Sequence, residues 1–367
     1  MITVGILYGG RSGEHDVSCC SAASVVSHLD MSRYNVVAVG IDVDGKWYVQ
    51  DKPAIVDDKD FGKKLKIEKT GHWLVNHYEE ENRLTFYRQG SGEKVSVDVV
   101  FPVLHGSFGE DGTLQGLLEL AMVPYVGAGV LGSSVGMDKD VAKRLLRDEG
   151  IPVVPWITVY KTEWKNESER IVENIISTFG FPVFAKPANA GSSVGVARIA
   201  DAASLGDGIT NAFKFDVKVI IEPGIQCREI ECAVLGNRNP EASITGEVVP
   251  VHEFYSYEAK YIDAEGAELK IPAEVDKELE EEIRAAAIRG YQVLQCSGLA
   301  RVDFFIDKKN NAFYLNEINT LPGFTSISMY PKLLDNMGIP YPELLDRLLQ
   351  LAFERFNERK EIFTIGN

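Results

Sequence analysis

Three stretches, TVGILYGG at 3–10, SCCSAASVVSHL at 18–29 and NVVAVGID at 35–42, decide how the first part of the chain folds. The first is a short apolar run ending in glycine, the second has helical spacing, and the third is again apolar and of strand length. A strand, a helix and a strand in that order predict a βαβ unit and an open parallel sheet. In such sheets ligands bind beyond the carboxyl ends of the strands. The loop GGRSGEHDVS at 9–18 therefore falls where chemistry is expected. It matches neither a P-loop nor a dinucleotide fingerprint, which disfavours a Rossmann dehydrogenase. What it presents is Glu14 and Ser18 at the sheet's mouth, where a carboxylate pairs with a ligand ammonium or is simply a solvated loop acid.

Working outward, residues from about Trp47 to Val97 break the alternation with short polar and aromatic runs and read as inserted β-hairpins. VDVVFPVLHG at 97–106 returns to a core strand and PYVGAG at 124–129 supplies another. MDKDVAKRLLRDEG at 137–150 is expected to be a helix with Val141, Ala142, Leu145 and Leu146 on one face. Strands are expected in VVPWITVY, FPVFAKPA, VGVARI and VKVIIE. A third block from about Pro223 carries REIECAVLG, LARVDFFID and AFYLNEINT as strands and DKELEEEIRAAAIRGYQVL as an amphipathic helix.

With 367 residues, two or three domains are expected. A net charge of −16 disfavours nucleic acid or anionic membranes as partners, so any anion site must be local. Five cysteines without a CxxC pair, no apolar run of membrane length and no export signal predict a reduced cytoplasmic protein.

Three segments carry candidate chemistry. FPVLHGSFGEDGTLQG at 101–116 ends a strand at His105, and its glycines admit close backbone approach. His105 either serves a ligand beside Glu14 or is a hydrogen-bonded structural residue. FAKPANAGSSVGV at 184–196 delivers Lys186 and then a glycine-serine loop, whose N–H groups and hydroxyls suit phosphate. In RVD and NEINT, on two strands joined by DKKNN, period-2 alternation puts Arg301 with Asp303 and Glu317 with Asn319 on one face. Such hard oxygen donors suit magnesium completed by substrate phosphates, the alternative being a buried Arg–Asp salt bridge.

Taken together and in order, GGRSGEHDVS, FPVLHGSFGEDGTLQG, MDKDVAKRLL, AKPANAGSSVGV, YSYEAKY, ARVDFF and NEINTLPGFTSISMYP resemble the D-alanine–D-alanine ligase family of the ATP-grasp superfamily. The resemblance implies an α/β, three-domain ATP-grasp architecture. An N-terminal Rossmann-like substrate domain would span 1–128, a central ATP-grasp subdomain 129–222, and a C-terminal subdomain 223–367 with a closing loop near 252–264. It implies ATP-dependent joining of two D-alanines through a D-alanyl phosphate, for peptidoglycan precursors, by a cytoplasmic homodimer with two Mg2+ or Mn2+ ions.

By the same resemblance, Lys139, Lys186, Ser193, Glu222, Glu229, Phe254, Lys260 and Phe305 would contact ATP. Asp303, Glu317 and Asn319 would hold the metal. Glu14 would bind the first D-alanine's ammonium with His105 nearby, and Ser192 and Tyr261 would complete a hydrogen-bonded set with Glu14. Arg301 and the Gly323 N–H would stabilise the oxyanion, and Ser328 would bind the second carboxylate. Met329 sits where D-serine-using relatives carry arginine, and Tyr261 resembles the D-alanine type over the lactate type. VIIEPGI departs from the family in placing Pro223, which has no N–H, after Glu222. A nucleotide sensor without catalysis is the binding-module alternative, but no metal ligand or phosphate lysine is missing.

Overall fold

The computed structural model describes residues 1–59, 61–76, 82–250 and 266–364. Its first strands and helix are β1 (Ile2–Gly9), α1 (His15–His28), β2 (Tyr34–Ile41), β3 (Trp47–Val49), β4 (Ile55–Asp58), β5 (Gly62–Leu65), β6 (Trp73–Asn76), β7 (Leu84–Arg88), β8 (Lys94–Val97) and β9 (Val99–Val103). Among the described residues seven of these strands form one sheet in the order β8-β7-β6-β3-β2-β1-β9. Only β2, β1 and β9 are parallel to one another; the Trp47–Val97 segment adds its strands antiparallel at the β2 edge. The inserted region is thus part of the sheet, while β4 and β5 pair separately. PYVGAG makes no full strand, only a single bridge from Tyr125 to Val100.

Helices α2 (Thr113–Leu120), α3 (Val130–Met137) and α4 (Lys139–Asp148) follow. The expected face of α4 is corrected: Asp140, Ala142, Lys143 and Leu146 are buried, whereas Leu145 is exposed. Burial of the two charged residues is possible because each is paired, Asp140 with Trp156, Thr158 and Arg144 and Lys143 with Glu222.

A second sheet, β10-β13-β11-β12, contains β10 (Ile157–Tyr160), β11 (Val183–Pro187), β12 (Ala197–Ile199) and β13 (Lys218–Pro223), backed by α5 (Lys161–Phe179) and α6 (Ala202–Ala212). Strands expected over 153–160 and 194–199 are shorter, because Pro155 lacks a ladder donor and Ser192–Gly195 makes turns. The third sheet, β16-β15-β14-β17-β18, contains β14 (Cys227–Gly236), β15 (Glu241–Pro250), β16 (Ala267–Lys270), β17 (Gly298–Asp307) and β18 (Phe313–Asn319). The sequence reading placed no strand at β15.

Alternation in β14, β17 and β18 decides which face carries chemistry. Ile230, Cys232, Val234, Val302, Phe304 and Ile306 are buried, packed against helix α7 (Lys277–Val293). Glu229, Glu231, Arg301, Asp303 and Phe305 consequently share the other face. The chain closes with α8 (Met329–Asn336) and α9 (Tyr341–Thr364), whose apolar residues form one core with β1, β9 and α1. All five cysteines are free thiols. No helix among the described residues is long and apolar enough to cross a membrane.

Candidate active site

The antiparallel register of β17 and β18 sets Asp303 opposite Glu317 and Arg301 opposite Asn319, with a bulge after Asp303. β14 adds Glu231 opposite Asp303 and Glu229 opposite Phe305. Arg301 is clamped between two acids: its Nε lies 2.9 Å from Glu231 Oε2 and donates to Asp303 Oδ1 at 2.7 Å, and its Nη2 donates to Asp303 Oδ2 at 2.7 Å. Asn319 Nδ2 donates to Asp303 Oδ2 at 3.0 Å. The salt bridge considered as the alternative is therefore present, and it shares its carboxylate with the candidate metal face.

Among the described residues no group of three His, Cys, Asp or Glu side chains has metal-binding geometry. The donor set here is instead two carboxylates and an amide, which fits a magnesium ion that takes its remaining oxygens from water and substrate phosphates.

The second sheet supplies cations. Phe184 stands opposite Glu222 and Lys186 opposite Ile220, so Lys186 and Glu222 share a face. Lys186 Nζ lies 2.5 Å from Glu222 Oε2 and 5.8 Å from the Phe305 ring centre. Lys143, buried in α4, pairs with the other oxygen of Glu222. Burial alone would raise the Glu222 pKa, but Lys186 and Lys143 outweigh it and hold the carboxyl down at about 2. Lys139 links the two sheets: its Nζ donates to Ala190 O at 2.6 Å and lies 3.8 Å from Glu317 Oε2.

In the loop between β11 and β12, Ser192 (φ 49°) and Ser193 (φ 59°) both adopt left-handed backbone, and Gly195 (φ 72°) follows. Non-glycine residues rarely sit there, and such conformations cluster at ligand-binding loops. Ser192 Oγ donates to Glu14 Oε1 from across the cleft. Glu14, buried at the start of α1, is flanked by Gly106 and Gly191, where added Cβ atoms would stand 2.3 and 3.1 Å from its Oε2.

His105 is a buried structural partner in this arrangement. Its Nδ1–H donates to Leu321 O at 3.1 Å and its Nε2 accepts from Ser21 Oγ at 2.9 Å, while Ser21 Oγ accepts the Phe324 N–H at 3.2 Å. Burial first, and then Arg301, push its pKa down to about 4, against the raising effect of Leu321 O. Through these bonds His105 fixes the backbone on both sides of Gly323. A Cβ on Gly323 would meet Ser328 Oγ at 2.8 Å, and that hydroxyl accepts the Thr325 N–H at 3.0 Å. Met329, expected to face substrate, is instead buried in the core, its Sδ 2.8 Å from where a Gly246 Cβ would lie. Ser18, fully buried, accepts the Gly9 N–H at 2.7 Å and donates to Val103 O, holding β1 to β9. Tyr261, Lys260 and Phe254, with the closing-loop reading, lie outside the described residues.

Sequence reading missed Lys143, Glu231, Ser21 and Glu110. Lys143 had a signal: it follows Lys139 by one helical turn between Ala142 and Leu146, which places a charge on a buried stripe. Glu231 alternates with Glu229 along β14.

The profile described as "D-ala D-ala ligase N-terminus" matches residues 3–128, and "D-ala D-ala ligase C-terminus" matches 145–350. The chain is 47% identical over 362 residues to a D-alanine–D-alanine ligase of Caldicellulosiruptor bescii, covering 98% of each. Among solved structures it is similar to the D-alanine-D-alanine ligase from Coxiella burnetii (TM-score 0.82, 33% identity, 100% of this chain and 99% of that one). It is also similar to a D-Ala:D-Ser ligase from Enterococcus faecalis (TM-score 0.79, 32% identity, 96% and 99%). With the candidate metal face, the glycine-serine loop and Glu14 brought together, and both profiles matched, this chain belongs to the D-alanine–D-alanine ligase family.

Proposed function

We propose that the chain joins two D-alanine molecules at the expense of ATP, giving D-alanyl-D-alanine, ADP and phosphate for peptidoglycan synthesis. The observation that carries this reading is the Ser192–Glu14 hydrogen bond, which ties the phosphate loop to the acid of the first sheet over 178 positions of sequence. It would make the amino-acid and nucleotide sites neighbours, as transfer of a phosphoryl group to a bound carboxylate requires.

A carboxylate is a poor electrophile, so the first D-alanine takes the γ-phosphoryl group and becomes an acyl phosphate. The second D-alanine's amine then attacks the acyl carbon, a C–N bond forms, the C–O bond to phosphate breaks, and the amine loses its proton. Lys139 and Lys186 would neutralise phosphate charge in the first step, with Ser193 and its neighbours donating to the phosphates. For Lys186 this means exchanging Glu222 for a phosphate oxygen. Glu222, Glu229 and Phe305 would line the nucleoside side. Arg301, oriented by Glu231 and Asp303, and the Gly323 N–H would meet the oxyanion of the second step, and Ser328 the second carboxylate. Asp303, Glu317 and Asn319 would hold Mg2+ or Mn2+, which supplies charge neutralisation at the transferring phosphoryl group.

Lys260, Phe254 and Tyr261 would belong to a loop that excludes water from the acyl phosphate. We further read the chain as a cytoplasmic homodimer of three-domain subunits divided near 128 and 222.

The test is phosphate release from ATP and magnesium with D-alanine, L-alanine, D-serine and D-lactate offered in turn. D-Alanine alone should sustain turnover and yield the dipeptide. Turnover only with D-alanine plus D-serine, or equal turnover with L-alanine, would overturn the reading.

A further inference from the structure

A second acid, Glu110, stands beside Glu14, and the steps above make no use of it. It lies in the turn after β9, half-buried, and its Oε1 accepts the Gly106 N–H at 2.7 Å. The Leu321 N–H is directed at the same carboxylate. Gly106 is also where Glu14 meets this loop, since a Cβ there would stand 2.3 Å from Glu14 Oε2. Two carboxylates, one from the start of α1 and one from the loop after β9, thus converge on a single glycine.

Like charges held together in a partly closed site do not both ionise freely, and the pair titrates as a unit. Among the described residues the charged groups that act most on Glu110 are Glu14 and Arg301. Burial first and Glu14 second push its carboxyl up to about 8; the N–H groups of Gly106 and Leu321 and the Arg301 guanidinium pull it down without cancelling that rise. His105, hydrogen-bonded to Leu321 O on the same loop, is neutral near pH 7 and adds no charge.

We propose that Glu14 and Glu110 share one proton in the ligand-free enzyme and release it when the ammonium group of the first amino acid enters beside them. The proton goes to solvent and no other bond changes. Net charge at the pair is then conserved: one proton leaves as one ammonium arrives. The exchange favours a ligand that carries its own positive charge over a neutral analogue, so Glu110 acts as a specificity element for the first substrate. This inference rests on the reading of Glu14 as the ammonium site.

The experiment is calorimetric titration of the intact protein with D-alanine, in the presence of a non-hydrolysable ATP analogue, at pH 7 in two buffers of different ionisation enthalpy. The difference in observed heat counts protons released. Wild type should release close to one proton per D-alanine, falling as pH rises through about 8. Glu110→Gln should still bind D-alanine, more weakly, and release almost none. Heat independent of buffer in the wild type would overturn the proposal without recourse to any variant, as would equal proton release by Glu110→Gln. Glu14→Gln separates the two readings: if it binds D-alanine as well as wild type does, the ammonium site is elsewhere. If wild type does not bind D-alanine at all, the functional reading falls and the inference with it.

Discussion

Lys143 and Lys186 reach the same carboxylate from two different elements, one at each oxygen of Glu222. Lys143 comes from helix α4 and is buried; Lys186 comes from β11 and faces the cleft. Glu317 and Glu229 act on Lys186 as well, so acids of the third sheet share in holding it. By occupying one oxygen of Glu222, Lys143 weakens the hold of Glu222 on Lys186 and leaves Lys186 more available to phosphate.

We predict that Lys143→Met weakens ATP binding about tenfold while adenosine binding changes little, because the loss falls on the phosphate-directed lysine. Breaking a buried ion pair costs roughly 3–5 kcal/mol when a charge is left uncompensated. Glu222 keeps Lys186, so a smaller loss, about 1–3 kcal/mol, is expected from urea denaturation. Equal weakening of ATP and adenosine would show that Lys143 serves the nucleoside side or the fold alone.

The metal assignment is tested first at Glu317. Its carboxylate lies 3.8 Å from Lys139 and is partly exposed, so Glu317→Gln should change stability by less than about 1 kcal/mol. Turnover should nonetheless fall by roughly 10²-fold or more, since a metal-directed charge is lost at the phosphoryl transfer. Asp303→Asn should lose turnover similarly but also destabilise, because it removes the partner of Arg301 and Asn319. Near-normal turnover of both variants at limiting magnesium would remove the metal from this face.

How far the sequence went is clear from these residues. Period-2 alternation placed Arg301, Asp303, Glu317 and Asn319 on one face because strands obey a fixed geometry, although the bulge after Asp303 was invisible to it. The glycine-serine loop was legible as a loop, but not the left-handed backbone of Ser192 and Ser193, which no local rule for serine requires. Helix α4 was misread at Lys143 and Asp140 because hydrophobic periodicity treats every charge as exposed. Their burial depends in part on partners 79 and 18 positions away, Glu222 and Thr158, that only the folded chain assembles. His105 was found as a residue of interest and left between two roles. The bonds to Ser21 and Leu321, which decide for a positioning role, join positions 84 and 216 apart in the sequence.

His105 also sets a pH dependence. Its pKa is depressed to about 4 in the fold, by burial first, against the ordinary value of 6.5. A depressed histidine contributes stability that is present above the unfolded pKa and lost as pH falls through the folded one. Wild type should therefore lose stability between about pH 6.5 and 4 partly through this residue. His105→Asn should be less stable than wild type at pH 7, and the gap should narrow as pH falls across that window. Urea midpoints measured at half-unit intervals check this; a gap constant with pH would mean that His105 is not kept neutral by the fold.

The last prediction concerns the glycine on which the two acids meet. Gly106 has φ of +72°, and a Cβ there would stand 2.3 Å from Glu14 Oε2 and 3.3 Å from Ser12 Cβ. Alanine in left-handed backbone costs about 1–2 kcal/mol. The larger effect is local, because Glu14 must swing away from the methyl group and so lose its contact with Ser192. We predict that Gly106→Ala lowers D-alanine affinity at least tenfold while the dissociation constant for ATP stays within about twofold, since none of the residues proposed above to contact ATP lies in this loop. Gly116 in α2 is the control: nothing lies within 4 Å of its added Cβ, and it stands in a helix, where alanine is favoured over glycine by about 1 kcal/mol. Gly116→Ala should raise the melting temperature slightly and leave both affinities unchanged. If Gly106→Ala instead weakens D-alanine and ATP alike, the damage is global. If it weakens neither, Glu14 does not hold the first amino acid in the position this structure gives it.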